Sequence, residues 1–82
     1  MSTSKIETTQ GLCTVALTKH LMASLSLSED AAFAKLMQME LYSLLMDPET
    51  RLYLETNEYL CEACDQELSL SLDGLYRFIN EA

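Results

Sequence analysis

The chain has 82 residues, of which 49% are hydrophobic, with two glycines, one proline and a formal net charge of −8. This apolar content excludes a disordered chain, and so few residues form only one thin core, which disfavours an enzyme. Abundant Leu and Met with little Gly or Pro favour helices. We therefore predict a single helical domain over residues 1–82, an all-α bundle of four to five short helices.

Targeting signals do not stand out in the sequence. The first ten residues, MSTSKIETTQ, carry neither the basic start nor the apolar stretch of a secretion signal. No apolar run reaches the roughly 18–20 residues that cross a bilayer. Three cysteines without disulfide-framework spacing are typical of a reducing compartment. We expect a cytoplasmic protein that does not bind membranes, with residues 1–7 as a flexible tail.

The first predicted helix runs from about Thr8 to Ser24. Its apolar residues recur every three to four positions, the pattern of an amphipathic helix with one buried face. They are Cys13, Leu17 and Leu21, with Leu12, Ala16 and Leu25 on neighbouring rows. His20 lies on this helix beside Lys19. Because no serine or cysteine forms a recognisable nucleophilic site with it, we interpret His20 as a solvent-facing or hydrogen-bonded structural residue.

A second helix is predicted to begin after Ser28, a suitable N-cap. Glu29 and Asp30 follow in the first turn, where the helix dipole stabilises carboxylates. Its apolar stripe comprises Phe33, Leu36, Met37, Leu41, Leu44 and Leu45. The segment LYSLLM at the end of this stripe is apolar almost all round, so we expect it to be the most buried part of the fold.

Glu40 interrupts this apolar stripe and requires an explanation. In one, the helix breaks near Gln38–Met39 and restarts in a new phase. In the other, the helix continues and Glu40 pairs with a basic residue such as Lys19 or Arg51. A charge within an apolar stripe is costly unless it is paired. Of the two alternatives, we favour the break.

The second half of the chain contains clear signals for helix ends and helix starts. Asp47 precedes a proline, which ends the helix, and is expected to cap a short turn over PETRLY. Thr56 is the next N-cap candidate, for a helix over about 57–68. A last short helix is predicted within residues 69–82, although the alternation at 68–72 also fits a strand.

One stretch carries a family resemblance. It rests on Leu41, Leu44, Leu45, Asp47, Glu49, Thr50, Leu52, Tyr53, Tyr59 and Leu60. Over about residues 12–67 the chain resembles a family of short bacterial and phage proteins without assigned function, which are suspected components of toxin–antitoxin modules. Where those proteins have glycine in the segment ET-Gly-LY, this chain has Arg51, so the turn geometry is expected to differ.

The cysteines Cys61 and Cys64 form a C-x-x-C pair. A metal site needs about four ligands, and only Cys13 and His20 could add to the pair. A redox pair needs its first thiol at a helix N-terminus, whereas Cys61 lies more than one turn inside the predicted helix. We favour buried apolar thiols over the metal and redox alternatives, and predict no cofactor and no metal.

Acidic residues dominate the second half. Residues 1–39 are neutral, whereas 40–82 hold ten acids against two arginines, the entire charge of −8. Glu58, Glu62 and Asp65 share one helix face, which Glu55 and Glu49 could extend. This stripe is either an ordinary solvated face or a surface that binds a basic partner. With no basic patch or phosphate loop, direct nucleic-acid binding is disfavoured.

These observations favour a non-enzymatic protein-binding module, an antitoxin-like or regulatory partner of another bacterial or phage protein. The alternative is an acidic phage-type inhibitor that imitates nucleic acid and blocks a host defence nuclease such as a CRISPR effector. The many large apolar residues also predict an exposed patch for a partner or a homodimer. Met39, displaced from the main stripe, is the first candidate for that patch.

Overall fold

The computed structural model describes residues 3–81 and the side chains of residues 5–80. Its helices are α1 (Thr3–Leu25), α2 (Glu29–Met37), α3 (Glu40–Met46) and α4 (Asn57–Glu81), with two 3-10 turns, Pro48–Thr50 and Leu52–Leu54, between α3 and α4. No strand occurs in this described range, so the predicted all-α fold is confirmed. None of the described helices is sufficiently long and apolar to span a bilayer.

Helix α1 is longer than the sequence predicts. Residues 3–7, expected to belong to a flexible tail, are the first residues of α1. The helix ends as Ser26 takes a left-handed conformation (φ 54°), and the Leu27 amide donates to the Met22 carbonyl. This is a Schellman ending, a position where glycine is most often found. The three-residue connection that follows folds α2 back along α1.

The break predicted near Gln38–Met39 in the second helix is confirmed. Helix α2 is capped by the Ser28 hydroxyl, which accepts from the Ala31 amide, and it ends at Met37. Helix α3 restarts at Glu40, but the cap of α3 comes from a distant residue. The carboxylate of Glu67 in α4 accepts the amides of Glu40 and Leu41, both at 2.9 Å.

The C-terminal end of α3 is also held by residues from outside the helix. The side-chain amide of Gln10 in α1 donates to the carbonyls of Leu45 and Met46, both at 3.1 Å. The Thr50 hydroxyl donates to the Leu44 carbonyl at 2.6 Å. Helix α3 has seven residues and is too short to be stable alone. The hydrogen bonds from other parts of the chain therefore stabilise it.

The connection between α3 and α4 follows the predicted turn chemistry. The Asp47 carboxylate accepts the Glu49 amide at 3.0 Å and caps the first 3-10 turn. Arg51 then adopts a left-handed conformation (φ 59°, ψ 19°) between the two turns. Arginine therefore occupies a backbone conformation that glycine adopts with less strain. The Thr56 hydroxyl accepts the Tyr59 amide and begins α4, as predicted.

Helix α4 is bent back on itself at Ser71, where φ is 59° and ψ is −153°. We call residues 57–70 its first arm and residues 72–81 its second arm. The rings of Tyr59 and Phe78 lie 5.0 Å apart. A straight helix would separate them by roughly 28 Å at 1.5 Å per residue, so the second arm packs against the first. The two arms correspond to the two predicted C-terminal helices, and the alternative strand at 68–72 does not form.

A leucine-rich core lies between α1, α2, α3, the second 3-10 turn and both arms of α4. Its members are Cys13, Leu17, Leu21, Ala32, Leu36, Met39, Leu41, Leu45, Leu52, Leu60, Ala63, Cys64 and Leu75. Within LYSLLM, only Leu41 and Leu45 are fully buried, so that segment is not uniformly the most buried. Met39, expected on an exposed patch, is 4% exposed, so that expectation is wrong.

Candidate partner-binding surface

The acidic stripe lies on the outer face of the first arm. Glu58, Glu62 and Asp65 are exposed, and Leu60 and Cys64 on the opposite face are buried. This is the arrangement that their spacing predicts for a helix. Glu55 is also exposed, in the residues that lead into α4. Three of the predicted site acids therefore share one exposed helix face and Glu55 precedes it, whereas Met39 is buried in the core.

Two acids of the stripe, Glu58 and Glu62, are unpaired. Their side chains form no hydrogen bond or ion pair with any of the described residues. An unpaired carboxylate on a helix surface is free to meet an external cation without first breaking an internal contact. Glu55 acts on its neighbour Tyr59, whose pKa is raised by burial and, to a lesser extent, by the Glu55 charge.

Asp65 differs from the other stripe acids because it contacts α1. Its Oδ1 lies 2.7 Å from Nε2 of His20, and the Ser24 hydroxyl lies 3.4 Å from the same Nε2. A catalytic triad requires the acid and the nucleophile on different ring nitrogens, so that the histidine can accept one proton while the acid orients it. Here both meet one nitrogen. The predicted structural role of His20 is therefore supported by a link between α1 and α4.

Of the two C-x-x-C cysteines of the first arm, Cys64 is buried as predicted, whereas Cys61 is only partly buried. Burial, followed by the charge of Asp65, raises the pKa of Cys64 to about 12, and the same two causes raise the pKa of Cys61. Burial also raises the pKa of Cys13. Thiols are nucleophiles and metal ligands only as thiolates, which these environments disfavour. Within the described residues, no three His, Cys, Asp or Glu side chains are grouped so as to hold a metal ion.

A second surface feature, which the sequence does not predict, is a groove between α1 and α2. The predicted apolar stripe places Phe33 and Met37 in the core, but they are 40% and 53% exposed. Leu36 of the same stripe is buried as predicted, and Ala32, which the predicted stripe does not include, is buried as well. The spacing of Ala32 and Leu36, which are four residues apart, is the feature of the sequence that could have indicated this narrower buried face.

Comparison with known proteins does not identify the surface. No family model, curated protein or solved structure matches the chain. The resemblance over residues 12–67 stays a prediction.

Proposed function

We propose that the chain is a non-enzymatic protein-binding module, an antitoxin-like or regulatory partner of a bacterial or phage protein with a basic surface. The observation that carries this proposal is the row of exposed acids on the first arm, in which Glu58 and Glu62 have no partner among the described side chains. A rigid helix presents these charges at fixed spacing, which favours electrostatic recognition.

A protein-binding role is also supported by the chemistry of the groups that an enzyme would use. His20 meets Asp65 and Ser24 through one nitrogen, and the three cysteines have raised pKa values. Neither arrangement activates a nucleophile near neutral pH. The structure thus presents charges for recognition more clearly than it presents groups for catalysis.

The test of this function is association with a partner isolated by pull-down and identified by mass spectrometry. In the variant Glu58→Gln/Glu62→Gln, two charges are removed and the contact between His20 and Asp65 is kept. The matched control is Glu7→Gln/Asp73→Asn, which removes two exposed acids elsewhere. Stopped-flow association rates are then measured at two salt concentrations.

We expect the stripe variant to associate about tenfold more slowly than the wild type at low salt, and the difference to shrink at high salt. The control should associate at nearly the wild-type rate, because its acids lie outside the stripe. Equal rates for the two variants, or rates independent of salt, would show that the stripe is only a solvated face.

A second candidate function is inhibition of a host defence nuclease by acidic mimicry of nucleic acid. The observation that favours it is the placement of all the net charge in residues 40–82. The two functions differ in what competes for the partner. A mimic and an oligonucleotide exclude each other from the same basic site, whereas an antitoxin-like partner that binds elsewhere does not compete. Fluorescence anisotropy of a labelled oligonucleotide on the isolated partner distinguishes them.

A further inference from the structure

The groove between α1 and α2 encloses about 400 Å³ and opens to solvent. Its walls are formed by Thr14, Val15, Thr18, Lys19 and Met22 of α1 and by Glu29, Asp30 and Phe33 of α2. Val15 is 51% exposed and Phe33 is 40% exposed. The centre of the groove therefore presents apolar side chains that the fold leaves uncovered.

The apolar surface continues beyond the groove. Leu12 lies one turn before Val15 on α1, and Met37 lies one turn after Phe33 on α2, so helical spacing places each pair on one face. Leu12 is 67% exposed and Met37 is 53% exposed. Single exposed apolar residues are normal, but a row along two neighbouring helices is typical of a binding surface.

Acidic residues lie at one end of the groove. Glu29 and Asp30 are exposed in the first turn of α2, and neither side chain forms an ion pair or hydrogen bond within the described part of the chain. Lys19 is the one cation among the lining residues, so this end of the groove is negative overall. An occupant with lysine or arginine at this end gains Coulomb energy there.

We propose that this groove binds an amphipathic helix of a partner protein, with apolar side chains on Val15 and Phe33 and a basic residue beside Glu29 and Asp30. Helices commonly bind in grooves between helices through apolar residues at i, i+3 or i+4, and i+7. The face of α2 from Asp30 to Met37 is roughly 10 Å long, which matches two turns of such a helix.

Two other occupants fit the structure less well. An extended peptide usually adds to the edge of a sheet, and the described residues contain no strand to extend. A second copy of this chain carries the same charge of −8, so electrostatic repulsion opposes its approach. A basic amphipathic helix satisfies both the apolar walls and the acidic end.

The groove is separate from the acidic stripe, so this inference does not depend on the proposed function of the stripe. His20, which contacts the first arm of α4, and Val15, which lines the groove, are about 140° apart around α1 at 100° per residue. The two surfaces therefore lie on different sides of α1, and one protein can occupy each of them at the same time.

The probe is a displayed library of random peptides about 16 residues long, a length that allows a helix to form on binding. The library is selected on the wild-type protein and counter-selected on Val15→Asp/Phe33→Asp. A representative peptide is then measured by fluorescence anisotropy. The controls are Leu54→Asp, which introduces one charge at a 58% exposed residue outside the groove, and Glu58→Gln/Glu62→Gln in the stripe. Circular dichroism verifies that each variant is folded.

We expect the selected peptides to share apolar residues at helical spacing and a lysine or arginine at one end. Their affinity should fall about tenfold or more for Val15→Asp/Phe33→Asp and severalfold for Glu29→Gln/Asp30→Asn, with little change for the two controls. Failure to enrich any peptide, enrichment of acidic or proline-rich peptides, or equal affinity for the groove variant would overturn the proposal. So would wild-type self-association in sedimentation that the groove variant abolishes, because the occupant would then be a second copy.

Discussion

Two interruptions of the helical chain, the break between α2 and α3 and the bend within α4, contain no proline and are built differently. Between α2 and α3 the backbone at Gln38 and Met39 has ordinary negative φ values, and Glu67 satisfies the amides of the new helix. At Ser71 the backbone enters a region of φ and ψ that is used almost only by glycine. The first break is stabilised by a long-range cap. At the second break, the packing of the two arms of α4 compensates for the local backbone strain.

The glycine nearest the strained bend is needed for close packing and not for a positive φ. Neither glycine of the chain has a positive φ, whereas Ser26, Arg51 and Ser71 do. Gly74 lies three residues beyond the bend, where an added Cβ would overlap the Leu70 Cβ and would lie 2.8 Å from the Gln66 carbonyl oxygen. Glycine is needed at position 74 for close packing of the two arms, and the backbone strain falls on a serine.

The largest effect that we predict is therefore from Gly74→Ala. The added methyl group forces the arms of α4 apart, and we expect the free energy of unfolding to fall by about 3 kcal/mol. Urea denaturation followed by circular dichroism measures this change. The matched control is Gly11→Ala in α1, where a Cβ meets nothing within 4 Å. That variant should gain about 1 kcal/mol, because alanine has the higher helix propensity. Losses of equal size at the two positions would contradict the close-packing argument.

The next effect is predicted at the capped break. Glu67→Ala leaves the amides of Glu40 and Leu41 without their charged acceptor, and we expect a loss of about 2 kcal/mol in thermal or chemical unfolding. Glu67→Gln keeps one acceptor oxygen and should lose less. Glu62→Ala, an exposed acid on the same helix, should change stability by less than about 0.5 kcal/mol. If Glu67→Ala resembled Glu62→Ala, the cap would contribute nothing.

A smaller effect of opposite sign is predicted at the strained break. Ser71→Gly relieves the conformational strain but increases the entropy of the unfolded chain, and we expect a net gain of about 1 kcal/mol. Ser71→Ala is the comparison, because alanine has the same difficulty as serine at this φ and ψ. Equal stabilities of the glycine and alanine variants would show that the bend at Ser71 is not strained in solution.

The smallest effect is predicted at Arg51, whose backbone strain is compared with that of Ser71. Its φ and ψ lie in the ordinary left-handed region, where the cost for a residue other than glycine is lower than at Ser71. Arg51→Gly should raise the free energy of unfolding by about 0.5 kcal/mol. A gain larger than that of Ser71→Gly would reverse the ranking of strain proposed for the two sites. Arg51→Lys keeps the charge and should leave stability nearly unchanged.

The sequence predicts features that depend on neighbouring residues. Ser28, Asp47 and Thr56 cap the elements that they were expected to cap, and Glu40 marks a true helix break. The outward position of Glu58, Glu62 and Asp65 follows from helical spacing alone. These predictions are confirmed because each depends on contacts within a few residues, which sequence spacing fixes.

Features that depend on distant residues were predicted wrongly or were not predicted from the sequence. Met39 is predicted to be exposed because it lies off the main apolar stripe. As the extended N-cap residue of α3, it instead has its side chain in the core. The cap by Glu67 joins residues 26 and 27 positions apart, and no local pattern indicates it. The groove depends on which of two apolar rows of α2 faces α1, a choice made by packing.

Cross-helix capping of α3 has a consequence for how the molecule opens. Because α1 and the first arm hold the two ends of this short helix, α3 cannot persist when either of them detaches. We expect the backbone amides of Glu40 and Leu41 to exchange with deuterium at the rate of the first arm, faster exchange in Glu67→Ala, and no independent opening of α3. Residues 40–46 therefore unfold cooperatively with α1 and the first arm of α4, and not as a separate unit.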